Sequence, residues 1–195
     1  MKKDLLFELY NRLETVFTIV TISQLFPEIS QESLLDRLYY FTRVGKIRRL
    51  RRGIYAKNDF NQFELANKLY TPSYISLETV LIKAGVIFQH HETIFLVSYL
   101  TRAVVVAGFN FQYRQIKPSV LTNTVGIEKE IGYYIATPER AFLDAVYIYK
   151  NYHFDNLRPL DWEKINLLKK IYRNKVFEKR VEEYYKLYKQ NNGQY

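Results

Sequence analysis

Cysteine is absent from the chain, so neither disulfides nor thiolate metal sites are available, and packing and hydrogen bonds must hold the fold. Histidine is scarce: His90, His91 and His153 are all there is. His90 and His91 are adjacent rather than three or four apart, so their rings diverge on a helix or a strand, and no metal site is expected. Long apolar runs are missing too. Residues 103–107 and 143–148 fall well short of the roughly 20 residues that a membrane span needs. Met1-Lys2-Lys3-Asp4 leads into an amphipathic stretch carrying Glu8 and Arg12, not into a secretory apolar core, so a cytoplasmic location without membrane contact is expected. The chain contains no G-x-x-x-x-G-K-[ST] loop, G-x-G-x-x-G turn or G-x-S-x-G elbow. No enzymatic activity, catalytic residue or cofactor is therefore expected. Glu128-Lys129-Glu130 and Glu163-Lys164 give only a faint carboxylate-and-lysine pattern of the kind a metal-dependent nuclease would use.

What is present begins with charge. The formal net charge is +9, and it is unevenly placed. Residues 43–57 contain Arg43, Lys46, Arg48, Arg49, Arg51, Arg52 and Lys57 without one acid. Clustered base of this kind calls for an anionic partner, and for a protein without a membrane span the common choices are nucleic acid and, less often, anionic lipid. At 195 residues and 48% hydrophobic content, the chain can bury a core as one domain or two small ones.

The first third has a recognisable order. Leu5, Leu6, Leu9, Tyr10 and Leu13 recur at spacings of three and four, which predicts a helix over 4–13. Thr21 is placed to cap a short second helix containing Ile22, Leu25 and Phe26, limited by Pro27. Ser30 is the expected N-cap of a third helix, with Leu34, Leu35, Leu38 and Phe41 as its buried stripe and Gly45 as its stop. Residues 46–50 and 54–57 then flank Arg51-Arg52-Gly53 as a basic β-hairpin. Three helices followed by a basic hairpin is the order of a winged helix-turn-helix, whose third helix enters the major groove while the wing meets phosphates. On that helix Gln31, Ser33, Arg37 and Tyr40 are the candidate base-reading residues, since Gln pairs with adenine and Arg with guanine. Arg43, Lys46, Arg48, Arg49, Arg51, Arg52 and Lys57 are the candidate phosphate contacts. Glu32 and Asp36 oppose this assignment, because an acid facing phosphate is repelled.

Beyond the hairpin, residues 60–69 read as a connecting helix. Thr71-Pro72-Ser73 breaks it, and Leu77, Val80, Leu81 and Ala84 mark another helix that stops at Gly85. Strands are expected over 93–99, 103–111 and 131–135. Thr137-Pro138-Glu139 opens a helix with a capping hydroxyl, a proline at the first position and a carboxylate at the positive dipole end. Asp161 is expected to cap a long basic amphipathic helix running toward Lys189. The overall expectation is an α+β chain: a winged helix-turn-helix over 1–60, then a mixed α/β domain over 61–195 with a small sheet and a long C-terminal helix.

Three segments carry a family resemblance: Arg52-Gly53-Ile54-Tyr55; Tyr74-Ile75-Ser76-Leu77-Glu78 followed by Gly85; and Ile135-Ala136-Thr137-Pro138-Glu139-Arg140-Ala141-Phe142-Leu143-Asp144. Together they resemble the AbiEi-type antitoxins, regulators of type IV toxin-antitoxin systems. The resemblance covers roughly residues 15 to 150. Arg140 and Phe142 stand where that family often has Lys and Leu, keeping charge and apolarity. The resemblance implies a repressor of its own operon, acting on double-stranded DNA of its own promoter region; a palindromic operator would imply two copies on the DNA, a homodimer. It also implies a second domain that counteracts a nucleotidyltransferase-like toxin without a stable complex. Two rival readings follow from the residues: a winged helix that binds another protein, and a nuclease using Glu128 and Glu130.

Overall fold

The computed structural model describes residues 4–192 and is an α+β fold. Helix α1 (Leu5–Asn11) begins where the Asp4 carboxylate accepts from the amides of Leu6 and Phe7. A short strand, β1 (Val16–Thr18), follows. Helix α2 (Ile19–Leu25) is capped by Thr18, which accepts from the Thr21 amide, so the cap falls three residues earlier than expected. Helix α3 (Gln31–Arg43) has the expected cap, Ser30 accepting from the Ser33 amide. It ends with Gly45 at φ +71° and two reverse bonds, Gly45 N to Thr42 O and Lys46 N to Phe41 O, which satisfy carbonyls the helix leaves open. Strands β2 (Arg48–Arg51) and β3 (Ile54–Ala56) form the hairpin, and β1 joins its other side in an antiparallel sheet ordered β1-β3-β2.

This small sheet has two buried faces. Phe17 and Tyr55 point toward α1–α3 and join Leu5, Leu9, Ile22, Phe26, Leu34, Leu38 and Ile47 in one core. Their neighbours Val16, Ile54 and Ala56 point the other way, into a larger core. The period-2 alternation of a strand thus places one sheet between two cores. Full burial of an aromatic such as Phe26 contributes about 1.5–3 kcal/mol.

Helix α4 (Gln62–Leu69), capped by Asn61, leads past the expected break at residues 71–73 into β4 (Ser73–Ile75), a strand not among those expected. Helix α5 (Glu78–Lys83) and β5 (Ile94–Ser98) follow. The single strand expected over 103–111 is two: β6 (Arg102–Val106) and β7 (Phe109–Gln115). Ala107 and Gly108, at φ +54° and +87°, reverse the chain between them in a tight hairpin that the apolar run concealed. Helix α6 (Pro118–Leu121) precedes a second hairpin, β8 (Ile127–Glu130) and β9 (Tyr133–Ala136), where one strand over 131–135 was expected. These six strands form one mixed sheet ordered β6-β7-β5-β4-β9-β8. Helix α7 (Pro138–Ile148) starts at Thr137 as expected.

The expected long terminal helix is broken. Asp161 does cap α8 (Trp162–Leu168), but a 3-10 turn (Lys169–Tyr172) and Arg173 in the left-handed region end it. Asn174 then accepts from the amides of Val176 and Phe177 to start α9 (Lys175–Asn192). The break lets Tyr172 and Phe177 both enter the larger core. No helix among the described residues is long and apolar enough to cross a membrane.

Candidate nucleic-acid interface

The inward face of α3 is set by Leu34 and Leu38, both fully buried, with Phe41 half-buried beside them. A step of about 100° per residue then places Asp36 and Arg43 opposite, flanked by Glu32, Tyr39 and Tyr40. Gln31, Arg37 and Tyr40 are exposed, and Ser33 is half-buried with its amide held by Ser30. Of the candidate base readers, Tyr40 thus stands nearest the outward face, Ser33 and Arg37 lie toward one edge of it, and Gln31, in the first turn, falls on the side of Leu34 and Leu38. Leu35, expected in the buried stripe, is exposed at 42%, because its direction falls nearly a right angle from Leu34. Tyr39, 66% exposed, is an outward aromatic outside the expected base-reading set.

The basic residues form a run from the end of α3 to the tip of the hairpin. Arg43 lies in the last turn of α3, where the helix dipole favours a cation. Lys46 follows the Gly45 turn, and its carbonyl accepts from the Tyr10 hydroxyl at 2.6 Å. Arg48, Arg49 and Arg51 lie on β2, the outer strand of the small sheet, with a register shift between Arg49 and Arg51. Arg52 and Gly53 make the turn, Gly53 at φ +76°, and the Gly53 carbonyl accepts from the Ile19 amide at 2.8 Å. That bond ties the hairpin tip to the start of α2.

Two of these arginines are positioned by aromatic rings from beyond the hairpin. The Arg48 guanidinium lies 5.2 Å from the centre of the Phe60 ring, and that of Arg51 lies 5.7 Å from the centre of Tyr70. The ring faces attract the cations, and both residues remain exposed. Arg37, Arg43, Lys46, Arg48, Arg49, Arg51 and Arg52 are all exposed, and none takes part in an ion pair among the described residues.

Lys57 differs from the other members of the expected phosphate set. Its ammonium donates to the carbonyls of Tyr10 and Arg12, at 3.2 and 2.6 Å, and the residue is half-buried. These bonds place its charge at the negative end of α1.

The other sequence candidates lie elsewhere. Glu128 and Glu130 are exposed on β8 at the opposite edge of the large sheet from β6. Among the described residues no group of three His, Asp or Glu side chains is placed to hold a metal ion. His90 is exposed, and the His91 ring packs edge-on against Phe95. In the terminal segment, Arg180 donates to the carbonyls of Val146 and Tyr149 at the end of α7, Lys164 pairs with Asp161, and Lys169 with Glu182.

The two longer motif segments meet inside the large core. Arg140 and Asp144 on α7 are completely buried. Arg140 donates to the carbonyls of Val120 and Val125 and to the Tyr74 hydroxyl, at 2.8, 2.9 and 3.1 Å. Asp144 accepts from Tyr74, Ser76 and Tyr172, at 3.0, 2.9 and 2.7 Å. The motif residues therefore build a buried polar network. The available signal was a pair of opposite charges at i and i+4 surrounded by Ala141, Phe142, Leu143 and Ala145.

No protein-family model matches the chain, and no match was found among curated proteins.

Proposed function

We propose that α1–α3 and the β1-β3-β2 sheet form a winged helix-turn-helix that binds double-stranded DNA from the promoter region of its own gene and represses transcription. In this reading α3 lies in the major groove, with Gln31, Ser33, Arg37 and Tyr40 near base edges. Arg43, Lys46, Arg48, Arg49, Arg51 and Arg52 neutralise phosphates and set register. The observation that carries the reading is the run of exposed cations without a carboxylate partner along α3 and the hairpin. Such a surface is self-repelling until an anion covers it.

The resemblance to AbiEi-type antitoxins supports a second role, counteracting a nucleotidyltransferase-like toxin encoded beside the gene. That role rests on the motif segments alone, and it is tested by co-expressing the chain with the neighbouring nucleotidyltransferase gene and scoring growth.

Fluorescence anisotropy against labelled DNA from upstream of the gene, with scrambled DNA as control and a salt series, tests the DNA reading. Preference for the upstream fragment by about a thousandfold, with a steep salt slope, supports a specific regulator. A palindromic operator with half-sites about 10 base pairs apart would place two copies on DNA. Weak and equal binding to both fragments favours the second reading, a protein-binding winged helix. That reading draws on the exposed Leu35 and Tyr39 and the outward Glu32 and Asp36, which suit a protein surface better than a phosphate backbone.

A further inference from the structure

Tyr70 follows the last turn of α4 and carries two guanidiniums from two different sheets. Arg51 of β2 lies 5.7 Å from the ring centre and donates to the Tyr70 hydroxyl at 3.4 Å. Arg102, the first residue of β6, lies 5.7 Å from the centre of the same ring. The two guanidinium carbons are therefore at most twice that distance apart. The ring itself is fixed: it packs edge-on against the buried Tyr113 at 4.9 Å, and Tyr113 donates to the Ala66 carbonyl at 2.7 Å. Arg102 stands opposite Tyr113 in the β6–β7 register, on an edge strand of the large sheet. Both arginines are exposed, and neither joins an ion pair among the described residues.

Two like charges brought to one rigid ring repel each other, and an aromatic face offsets this only partly. A duplex backbone, with a phosphate charge about every 1.7 Å of axis, is the anion that would take both at once. We propose that Arg102 is a further phosphate contact, so that the DNA track crosses from the hairpin onto the edge of the six-stranded sheet, with Tyr70 as the positioning residue for both cations. This rests on the DNA-binding reading and extends it: the second half of the chain touches the same duplex and fixes the angle at which the hairpin lies.

The test is anisotropy on the full chain with labelled upstream duplex and with scrambled duplex, each across a salt series. Arg102→Ala is expected to lower the slope of log K against log salt by about 0.9, the contribution of one phosphate, on both duplexes. Arg102→Lys is expected to keep that slope, since it keeps the charge. Lys170→Ala, an exposed cation on the 3-10 turn, is the control and is expected to leave the slope unchanged. If the unaltered chain binds with a steep slope and Arg102→Ala leaves it intact, the Arg102 contact is wrong while the DNA reading stands. An equal loss with Lys170→Ala also overturns it, because net charge and not position would then set the slope. If the unaltered chain shows no salt-dependent binding, the DNA reading fails and the Arg102 contact with it.

Discussion

Replacing Asp144 with alanine should destabilise the chain more than any surface change. Asp144 is the sole acid paired with Arg140 among the described residues, at 3.4 Å from the guanidinium Nε, and both side chains are completely buried. Burial pushes the Asp144 carboxyl above the usual carboxylate range, while Arg140 and the hydroxyls of Tyr172, Ser76 and Tyr74 pull it back. Without Asp144 the guanidinium keeps its carbonyl acceptors but loses its counter-charge, which costs about 3–5 kcal/mol for a buried pair. At about 2–4 °C per kcal/mol for a chain of this size, the melting temperature should fall by roughly 6–20 °C. The hydroxyls of Tyr74, Ser76 and Tyr172 lose an acceptor as well, which argues for the upper half of that range. Pairing the change with Arg140→Met separates charge from packing. The double variant removes both charges but orphans the carbonyls of Val120 and Val125, so it should remain destabilised, yet by about 2 kcal/mol or more less than the sum of the single changes. Urea titrations of the four proteins measure this. An Asp144→Ala cost under about 1 kcal/mol, or strict additivity in the cycle, would refute a charge-coupled network.

Arg51→Ala with Arg52→Ala should weaken binding to every duplex and lower the salt slope, whereas Arg37→Ala should relax preference at one position for about 1–3 kcal/mol, as read by competition with single-base operator variants. Equal losses across all sequences from both changes would contradict the division of roles. Gly132→Ala should destabilise sharply, because Gly132 is at φ +81° and an added Cβ would sit 2.5 Å from the Glu64 carboxylate, itself buried and bound to the Thr15 and Val16 amides; thermal melting tests this, and an unchanged melting temperature rules it out. Alkali should also destabilise. Burial first, and then the Asp144 carboxylate, raise Tyr74 and Tyr172 well above the usual phenol value, and burial raises Tyr149 to about 12. A raised folded-state value stabilises fully below the unfolded phenol value of about 10 and is lost as pH climbs through the folded one. Melting temperature should therefore fall from about pH 10 upward, where the unfolded chain gives up these protons and the folded one keeps them, and a flat profile to pH 11.5 would falsify the assignment.

Local signals in the sequence located the helix starts well. Ser30, Thr137 and Asp161 cap where the hydroxyl or carboxylate before an apolar period said they would. Reversals made by residues other than glycine were not legible. Ala107 joins Gly108 in turning β6 into β7, and Arg173 breaks the terminal helix, because tertiary packing overrides their helix or strand preference. β1 and β4, at three residues each, are too short to show a period and exist because neighbouring strands supply their hydrogen bonds. The basic run of the candidate interface was readable from composition. Which cation is used internally was not: Lys57 reaches carbonyls 45 and 47 positions earlier in the chain, a relation that only the folded chain creates. For the same reason Arg102 carried no signal, since it stands alone among apolar residues in the sequence and becomes part of a cluster only across the Tyr70 ring.

The two halves of the molecule treat charge in opposite ways. In the large core each buried ion is matched or solvated by protein. Arg140 faces Asp144, Glu64 takes the amides of Thr15 and Val16 with Lys68 at 3.5 Å, Glu139 accepts from the Asp161 amide, and Glu78 lies within reach of the Tyr149 and Tyr152 hydroxyls. A random basic surface would show some pairing between its cations and nearby acids, as α1 does with Arg12 between Glu8 and Glu14. Along α3 and the hairpin that pairing is missing among the described residues, although Glu32, Asp36 and Asp59 are close in sequence. Self-repulsion there lowers stability when the chain is alone, and a bound polyanion removes it. On the proposed DNA-binding reading the same residues link folding to binding: added duplex should raise the melting temperature most at low salt, where both the repulsion and its relief are largest.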